Sequence, residues 1–177
     1  MAKRLAITMV ENIRKNRMLE DFTVEAVLAE IELRVGKPKD TEIVGPSMAT
    51  VYAREKVEGE DWNEHERDWA RRIRAAKHVF IVVHAYEPNR FTCLEVHKGP
   101  ENSTVVEYRD SLKTPHETAR QTAKDILVNL EFATPEFELS QAKNKTYQTG
   151  GLECGIWSSR WIERSLASCE EKGDSAR

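Results

Sequence analysis

The stretch from Gln148 to Trp157 reads Gln-Thr-Gly-Gly-Leu-Glu-Cys-Gly-Ile-Trp. Two adjacent glycines permit a tight turn of the backbone, and Cys154 is then predicted to begin a helix with an apolar stripe. The helix dipole and the unpaired N–H groups at that end favour a thiolate, so we expect a lowered pKa for Cys154. The same N–H groups can face a developing oxyanion, and the side-chain amide of Gln148 can complete that hole. The stretch is therefore typical of a nucleophilic cysteine.

The rest of the chain predicts an α+β domain, because helices come first, then strands, then helices again. Residues 79–83 form a β-branched and aromatic run, typical of a central strand buried on both faces. Residues 40–57 are expected to be irregular, with a turn at Gly45-Pro46. The other predicted strands are Phe91–Val96 and Thr104–Tyr108, and the predicted helices are 5–17, 21–35, 60–76, one with a capping box at Thr114-Pro115-His116-Glu117, and one from Cys154.

The composition indicates a single domain over residues 1–177, with a polar, frayed tail at 169–177. Lys and Arg number 27 against 30 for Asp and Glu, so the net charge of −3 gives nucleic acid no basic surface. No apolar run approaches the roughly 18 residues that would cross a bilayer, which argues against a membrane partner. The mean hydropathy of −0.61 agrees with a well-solvated surface.

The cysteines predict a reducing compartment. Three widely spaced cysteines, Cys93, Cys154 and Cys169, do not suggest a disulfide framework. No Cys-x-x-Cys or His-x-x-x-His pair is present, so zinc has no sequence signature. We expect a cytoplasmic or nuclear protein.

Three segments resemble a known family. Gln148–Trp157 is similar to the nucleophile motif of the ubiquitin-like-protein-specific (SUMO) cysteine proteases, where a Gln precedes an acidic-Cys-Gly tripeptide. Tyr108–Leu112, which contains Asp110-Ser111-Leu112, is similar to the strand-ending motif that carries the family's acid. Leu19–Glu25 is a weaker match to an N-terminal helix start. The matches keep their order and extend over about residues 17–168.

The resemblance implies a papain-like fold, with a mixed or antiparallel sheet flanked by helices and the nucleophile at a helix N-terminus. It implies that Cys154 is the nucleophile, Asp110 the acid that orients a histidine, and Gln148 the oxyanion-hole donor. The implied activity is cleavage after the C-terminal glycine of a ubiquitin-like modifier or its conjugates. This chemistry needs no metal and no organic cofactor.

The histidine is where this chain departs from the family pattern. In a hairpin, the residue beside Asp110 lies near position 90, and that residue is Arg90. A guanidinium is always charged and has no acceptor, so it cannot take the proton of a thiol. Arg90 can instead pair bidentately with Asp110 and hold a nearby thiolate by its charge. His84, at the end of the preceding strand, is the candidate base, and His78 is the alternative.

Three hypotheses follow from these residues. The first is a thiol peptidase or isopeptidase in which Cys154 attacks and His84 or His78 is the base. The second is a pseudoprotease that binds a ubiquitin-like modifier, with an Arg90–Asp110 ion pair in place of the acid–base pair. The third is an ordinary α+β domain in which Cys154 is inert.

Overall fold

A computed structural model describes residues 21–54, 62–87, 89–100, 103–112, 116–142 and 154–174, with only the backbone described for 169–174. Among the described residues, three helices and one short strand come first, three consecutive strands follow, and two helices come after the last strand. The elements are α1 (Asp21–Val35), β1 (Thr41–Val44), α2 (Pro46–Ala53), α3 (Glu64–Ala75), β2 (His78–Tyr86), β3 (Asn89–Lys98), β4 (Thr104–Arg109), α4 (Glu117–Asn129) and α5 (Cys154–Asp174).

The four strands form one mixed sheet in the order β1-β2-β3-β4. β1 pairs with β2 in parallel, and the remaining pairs are antiparallel. β2 and β3 pair over their whole length, from His78 opposite His97 to Tyr86 opposite Asn89. β3 pairs with β4 only from Lys98 to Cys93, so β3 continues past the end of β4. This difference in length creates a step at one corner of the sheet.

Both faces of the sheet are covered, as the continuous apolar run in β2 predicts. One face packs against α2, α3 and α4 in a core that includes Ile81, Leu94 and Tyr108. The other face packs against α1 and α5 in a core that includes Phe80, Val82 and Cys154. Because successive residues of a strand point to opposite faces, neighbours in sequence here belong to different cores.

The prediction that residues 40–57 are irregular is wrong for the described part, residues 40–54. Thr41–Val44 is a strand that pairs with β2, and Pro46 begins α2 with Gly45 as its N-cap. Proline is well placed in the first turn of a helix, where its missing N–H has no partner to lose. The Gly-Pro pair therefore starts a helix here instead of forming a turn.

The ends of the other helices show how local sequence sets boundaries. α1 ends before Gly36, which has a φ of 86°, and this agrees with the predicted stop. α3 starts with a capping box between Asn63 and Glu66. α4 begins at Glu117 with His116 as N-cap and no side-chain cap, and the predicted cap Thr114 lies outside the described residues.

Two further predictions concern the chain ends. The predicted helix at 5–17 lies outside the described residues. α5 continues to Asp174, so the backbone of 170–174 is helical where the sequence predicts a tail. Within the described ranges, no helix combines the length and apolar character needed to cross a membrane.

Candidate active site

The first residue of α5 contacts the step in the sheet. The backbone N–H of Phe91 donates a hydrogen bond to the Sγ of Cys154, with the two atoms 3.3 Å apart. Phe91 lies in the part of β3 that β4 does not reach, so on this side its N–H has no partner in the neighbouring strand. The thiol therefore takes the place of a strand partner, and the sheet fixes the start of α5.

The environment of Cys154 raises the pKa of its thiol. The residue is 2% exposed, and burial disfavours the charged thiolate. The N–H groups of Phe91 and Gly155 and the charge of Arg90 act in the opposite direction, but burial is the largest effect. The expectation of a lowered pKa is therefore wrong, because burial of the sulfur outweighs the helix N-terminus.

Arg90 contacts Asp110, as the hairpin register predicts. Its Nε donates to Oδ1 of Asp110 at 3.1 Å, and its Nη2 donates to the same oxygen. Both guanidinium nitrogens thus hold the same carboxylate oxygen. The side chains are 9% and 0% exposed, so the charges are neutralised inside the protein. An ion pair without solvent loses little to screening by salt.

The carboxylate of Asp110 is held from several directions. Oδ1 also accepts the backbone N–H of Leu112 at 2.9 Å, and the Tyr108 hydroxyl is 3.4 Å from Oδ2. Burial and the nearby negative charge of Asp110 raise the pKa of Tyr108, so its hydroxyl remains a donor. Gln141 donates to the backbone carbonyls of Asp110 and Leu112. The acid is therefore fixed after the end of β4.

His84 lies at the same end of the sheet as Arg90 and Asp110 but on the opposite face. It is opposite Phe91 in the β2–β3 register, whereas Arg90 is opposite Ala85 and points to the face that carries Tyr108. Its ring stacks on Phe91, with centroids 4.3 Å apart. The structure does not bring His84 beside Asp110.

Both ring nitrogens of His84 have close neighbours. Nε2 is 2.5 Å from Oδ1 of Asn89, and Nδ1 is 2.6 Å from Oδ1 of Asp21, although the latter contact lacks hydrogen-bond geometry. The Tyr86 hydroxyl donates to the other carboxylate oxygen of Asp21 at 2.9 Å. His84 thus joins β2 to the start of α1.

The structure does not bring the alternative base to this site. His78 is at the opposite end of β2, paired with His97 in the register. Its Nε2 is 3.1 Å from Oε1 of Glu95. Gln148 lies outside the described residues.

Among the described residues, this corner of the sheet therefore holds a fixed carboxylate paired with Arg90 and a buried thiol that contacts the neighbouring Phe91. It can hold negative charge, because Arg90 is cationic and the N–H groups of Phe91 and Gly155 point at the sulfur. Sequence reasoning missed Phe91, since a backbone group leaves no motif. It also missed Tyr108 as a donor, although its place two residues before Asp110 puts both side chains on one face.

Comparison with known proteins gives a clear result for the fold. No protein-family model matches the chain, and no curated protein is significantly similar in sequence. The structure of the Xanthomonas campestris effector protein XopD bound to ubiquitin is similar, with a TM-score of 0.63 at 16% identity, over 85% of this chain and 76% of the other.

The yeast protein Ulp1 gives a comparable match. Its C-terminal protease domain, solved in complex with Smt3, the yeast ortholog of SUMO, has a TM-score of 0.62 at 17% identity. The alignment covers 89% of this chain and 69% of the other. A structure of Ulp1 with its catalytic cysteine oxidised to a sulfinic acid matches with a TM-score of 0.60 at 17% identity, over 89% and 70% of the two chains. The predicted papain-like α+β fold is confirmed.

Proposed function

Because the chain has the fold of the ubiquitin-like-protein-specific cysteine proteases, we propose that it binds a ubiquitin-like modifier without turning it over. The fold alone does not define an activity, so the proposal depends on the residues of the site. In this proposal the protein is a pseudoprotease. We further propose a cytoplasmic or nuclear location, because three widely spaced cysteines suit a reducing compartment.

The observation that carries the proposal is the buried ion pair between Arg90 and Asp110. An acid of this kind serves a cysteine protease by orienting a histidine that takes the thiol proton. Here the acid is occupied by a guanidinium, which has no acceptor. Absence of positioned acid–base help costs about 10²–10⁴ in rate, and members of one nucleophilic unit are not additive.

The thiol itself agrees with weak reactivity. Its pKa is raised by burial, so only a small fraction is thiolate at neutral pH. The modifier partner is supported by the two similar proteins, which were solved with ubiquitin and with Smt3 bound. We expect the C-terminal tail of a modifier to approach the Cys154 end of α5.

A second candidate function is a thiol peptidase or isopeptidase for the same modifiers. It is favoured by the position of Cys154 at the first residue of a helix, where Phe91 and Gly155 direct N–H groups at the sulfur. In this reading Cys154 forms an acyl-enzyme after the terminal glycine of the modifier, and water hydrolyses it. His84, which stacks on Phe91, remains the candidate base, whereas His78 lies at the opposite end of β2 and cannot serve Cys154.

The two proposed functions are distinguished by measuring binding and cleavage of the same two modifiers. Ubiquitin and SUMO are tested for binding by calorimetry, and their C-terminal coumarin amides are tested for hydrolysis. Saturable binding with hydrolysis at the no-protein background supports the pseudoprotease. Hydrolysis that is lost in Cys154→Ala overturns it in favour of the peptidase. Failure of both modifiers to bind overturns the proposed partner class.

A further inference from the structure

The far end of the β2–β3 pair carries a cluster that the Cys154 site does not use. His78 on β2 lies directly opposite His97 on β3, and Glu95 is two residues before His97 on the same face. Side chains that are opposite or two apart on one face of a sheet have Cβ atoms within mutual reach. The ladder therefore brings two imidazoles and one carboxylate together.

The three side chains converge through specific atoms. The Nε2 atoms of His78 and His97 are each 3.1 Å from Oε1 of Glu95. All three candidate donor atoms lie within 4.8 Å of one another. In a tetrahedral site with bonds of about 2.0–2.1 Å, neighbouring donors are roughly 3.3 Å apart. The two measured separations are close to that value.

The second oxygen of Glu95 has its own partner. Nε of Arg109 forms an ion pair with Oε2 at 3.3 Å, without hydrogen-bond geometry, and Arg109 also pairs with Glu107. Arg109 thus orients the carboxylate while Oε1 faces the imidazoles. Carboxylates that bind metals are commonly held in this way by a neighbouring group.

The cluster is also open on one side. The side chains of His78 and Glu95 are buried, whereas that of His97 is 46% exposed. A metal can therefore enter from the His97 side, and a water can occupy a fourth position. Two imidazoles with one carboxylate form a donor set that suits zinc and similar divalent transition metals.

We propose that His78, Glu95 and His97 form a binding site for a divalent metal ion of the zinc class. The ion joins β2 to β3 at the end of the sheet remote from Cys154. In this assignment His78 is a metal ligand that helps to hold β2 and β3 together. Sequence spacing alone does not reveal the site. Glu95 and His97 lie on β3, whereas His78 lies on β2, and only the strand register brings it beside them.

The test uses Zn²⁺ and Co²⁺ on the full chain carrying Cys154→Ala and Cys169→Ser, which removes two thiols that also bind these metals. Cys93 stays, since it is buried in the core. Zinc binding is measured by calorimetry, and Co²⁺ binding by visible d–d absorption with displacement by Zn²⁺. We expect one equivalent to bind and the ion to raise the melting temperature.

Variants identify the ligands. His97→Ala and Glu95→Gln are each expected to weaken binding at least about tenfold, since even loss of an orienting group typically costs 10–100-fold. His65→Ala is the matched control, because His65 is an exposed histidine on α3. His97 is half exposed, so His97→Ala is expected to keep the fold by circular dichroism. Failure to bind either metal at submillimolar concentration, or unchanged binding in folded His97→Ala, overturns the proposal.

Discussion

The backbone N–H of Phe91 points at the sulfur of Cys154, 3.3 Å away, from a part of β3 that has no neighbour in β4. This contact places the thiol one residue from Arg90, whose guanidinium already holds Asp110. The thiol, the guanidinium and the carboxylate are therefore fixed by a few residues at one corner of the sheet. Each can be tested separately.

The first prediction concerns the reactivity of the thiol. Because burial raises the pKa of Cys154 above its ordinary value of 9.0, the alkylation rate is expected to reach half its maximum above that pH. Arg90→Gln removes a charge that favours the thiolate, so the midpoint is expected to move higher still. The measurement is iodoacetamide labelling of the Cys154 peptide by mass spectrometry across a pH series, with Arg71→Gln as the control. A midpoint at or below that of a free cysteine peptide contradicts the buried environment.

The second prediction concerns the ion pair. Arg90→Met leaves a buried carboxylate without its cation, and we expect a loss of about 3–5 kcal/mol in the free energy of unfolding. The exposed pair between Arg71 and Asp68 is the matched control, and Arg71→Met is expected to cost less than about 1 kcal/mol. Both are measured by urea denaturation at low and high salt. The Arg90 effect is expected to change little with salt, and a cost as small as the control's would show that the pair is solvated.

The third prediction concerns restoration of catalysis. Arg90→His places an imidazole beside Asp110, and in the proposed pseudoprotease this imidazole supplies the missing base. Hydrolysis of a modifier coumarin amide is expected to rise by at least about 10² over wild type, the lower range of positioned acid–base catalysis. The rise is expected to vanish in Arg90→His with Cys154→Ala. Arg71→His is the control for an added histidine, and an inactive but folded, modifier-binding Arg90→His protein speaks against a lost acid–base pair.

The fourth prediction separates structure from chemistry at His84. Its ring lies between Asn89 and Asp21 and stacks on Phe91, so His84→Ala removes contacts that connect β2 to α1. We expect a loss of about 1–3 kcal/mol in unfolding free energy. His65→Ala, at an exposed position, is expected to stay within about 0.5 kcal/mol of wild type. Modifier hydrolysis that is present in wild type and abolished in folded His84→Ala would instead assign His84 as the base.

Much of the fold is readable from the sequence because long periodic segments carry their own signal. The helical spacing from Asp21 to Val35 and the β-branched run in β2 gave elements that the structure confirms. β1 has only four residues, which is too short for a periodic signal, and its pairing with β2 comes from tertiary structure. Pro46 could equally end a strand or begin a helix.

The site, like the fold, combines features that the sequence predicts with features that only the tertiary structure determines. The contact between Arg90 and Asp110 follows from hairpin register, which residue counting can estimate. The direction of the Cys154 pKa could not be predicted this way, because the helix N-terminus is visible in the sequence and the burial of the sulfur is not. A shift of one residue in the assumed register moves His84 to the opposite face of the sheet, so its face could not be predicted by counting residues. The roles of Cys154, Asp110 and Gln148 remain predictions.

The unequal lengths of β3 and β4 have a consequence for how such a site can be gained or lost. If β4 were extended by insertion, its new backbone carbonyl would compete with the sulfur for the N–H of Phe91. Helix α5 would then lose the anchor of its first turn without any change in its own sequence. The length of the loop after β4 is thus expected to affect the position of the Cys154 thiol. Engineered insertions in that loop offer a way to detach α5 from the sheet.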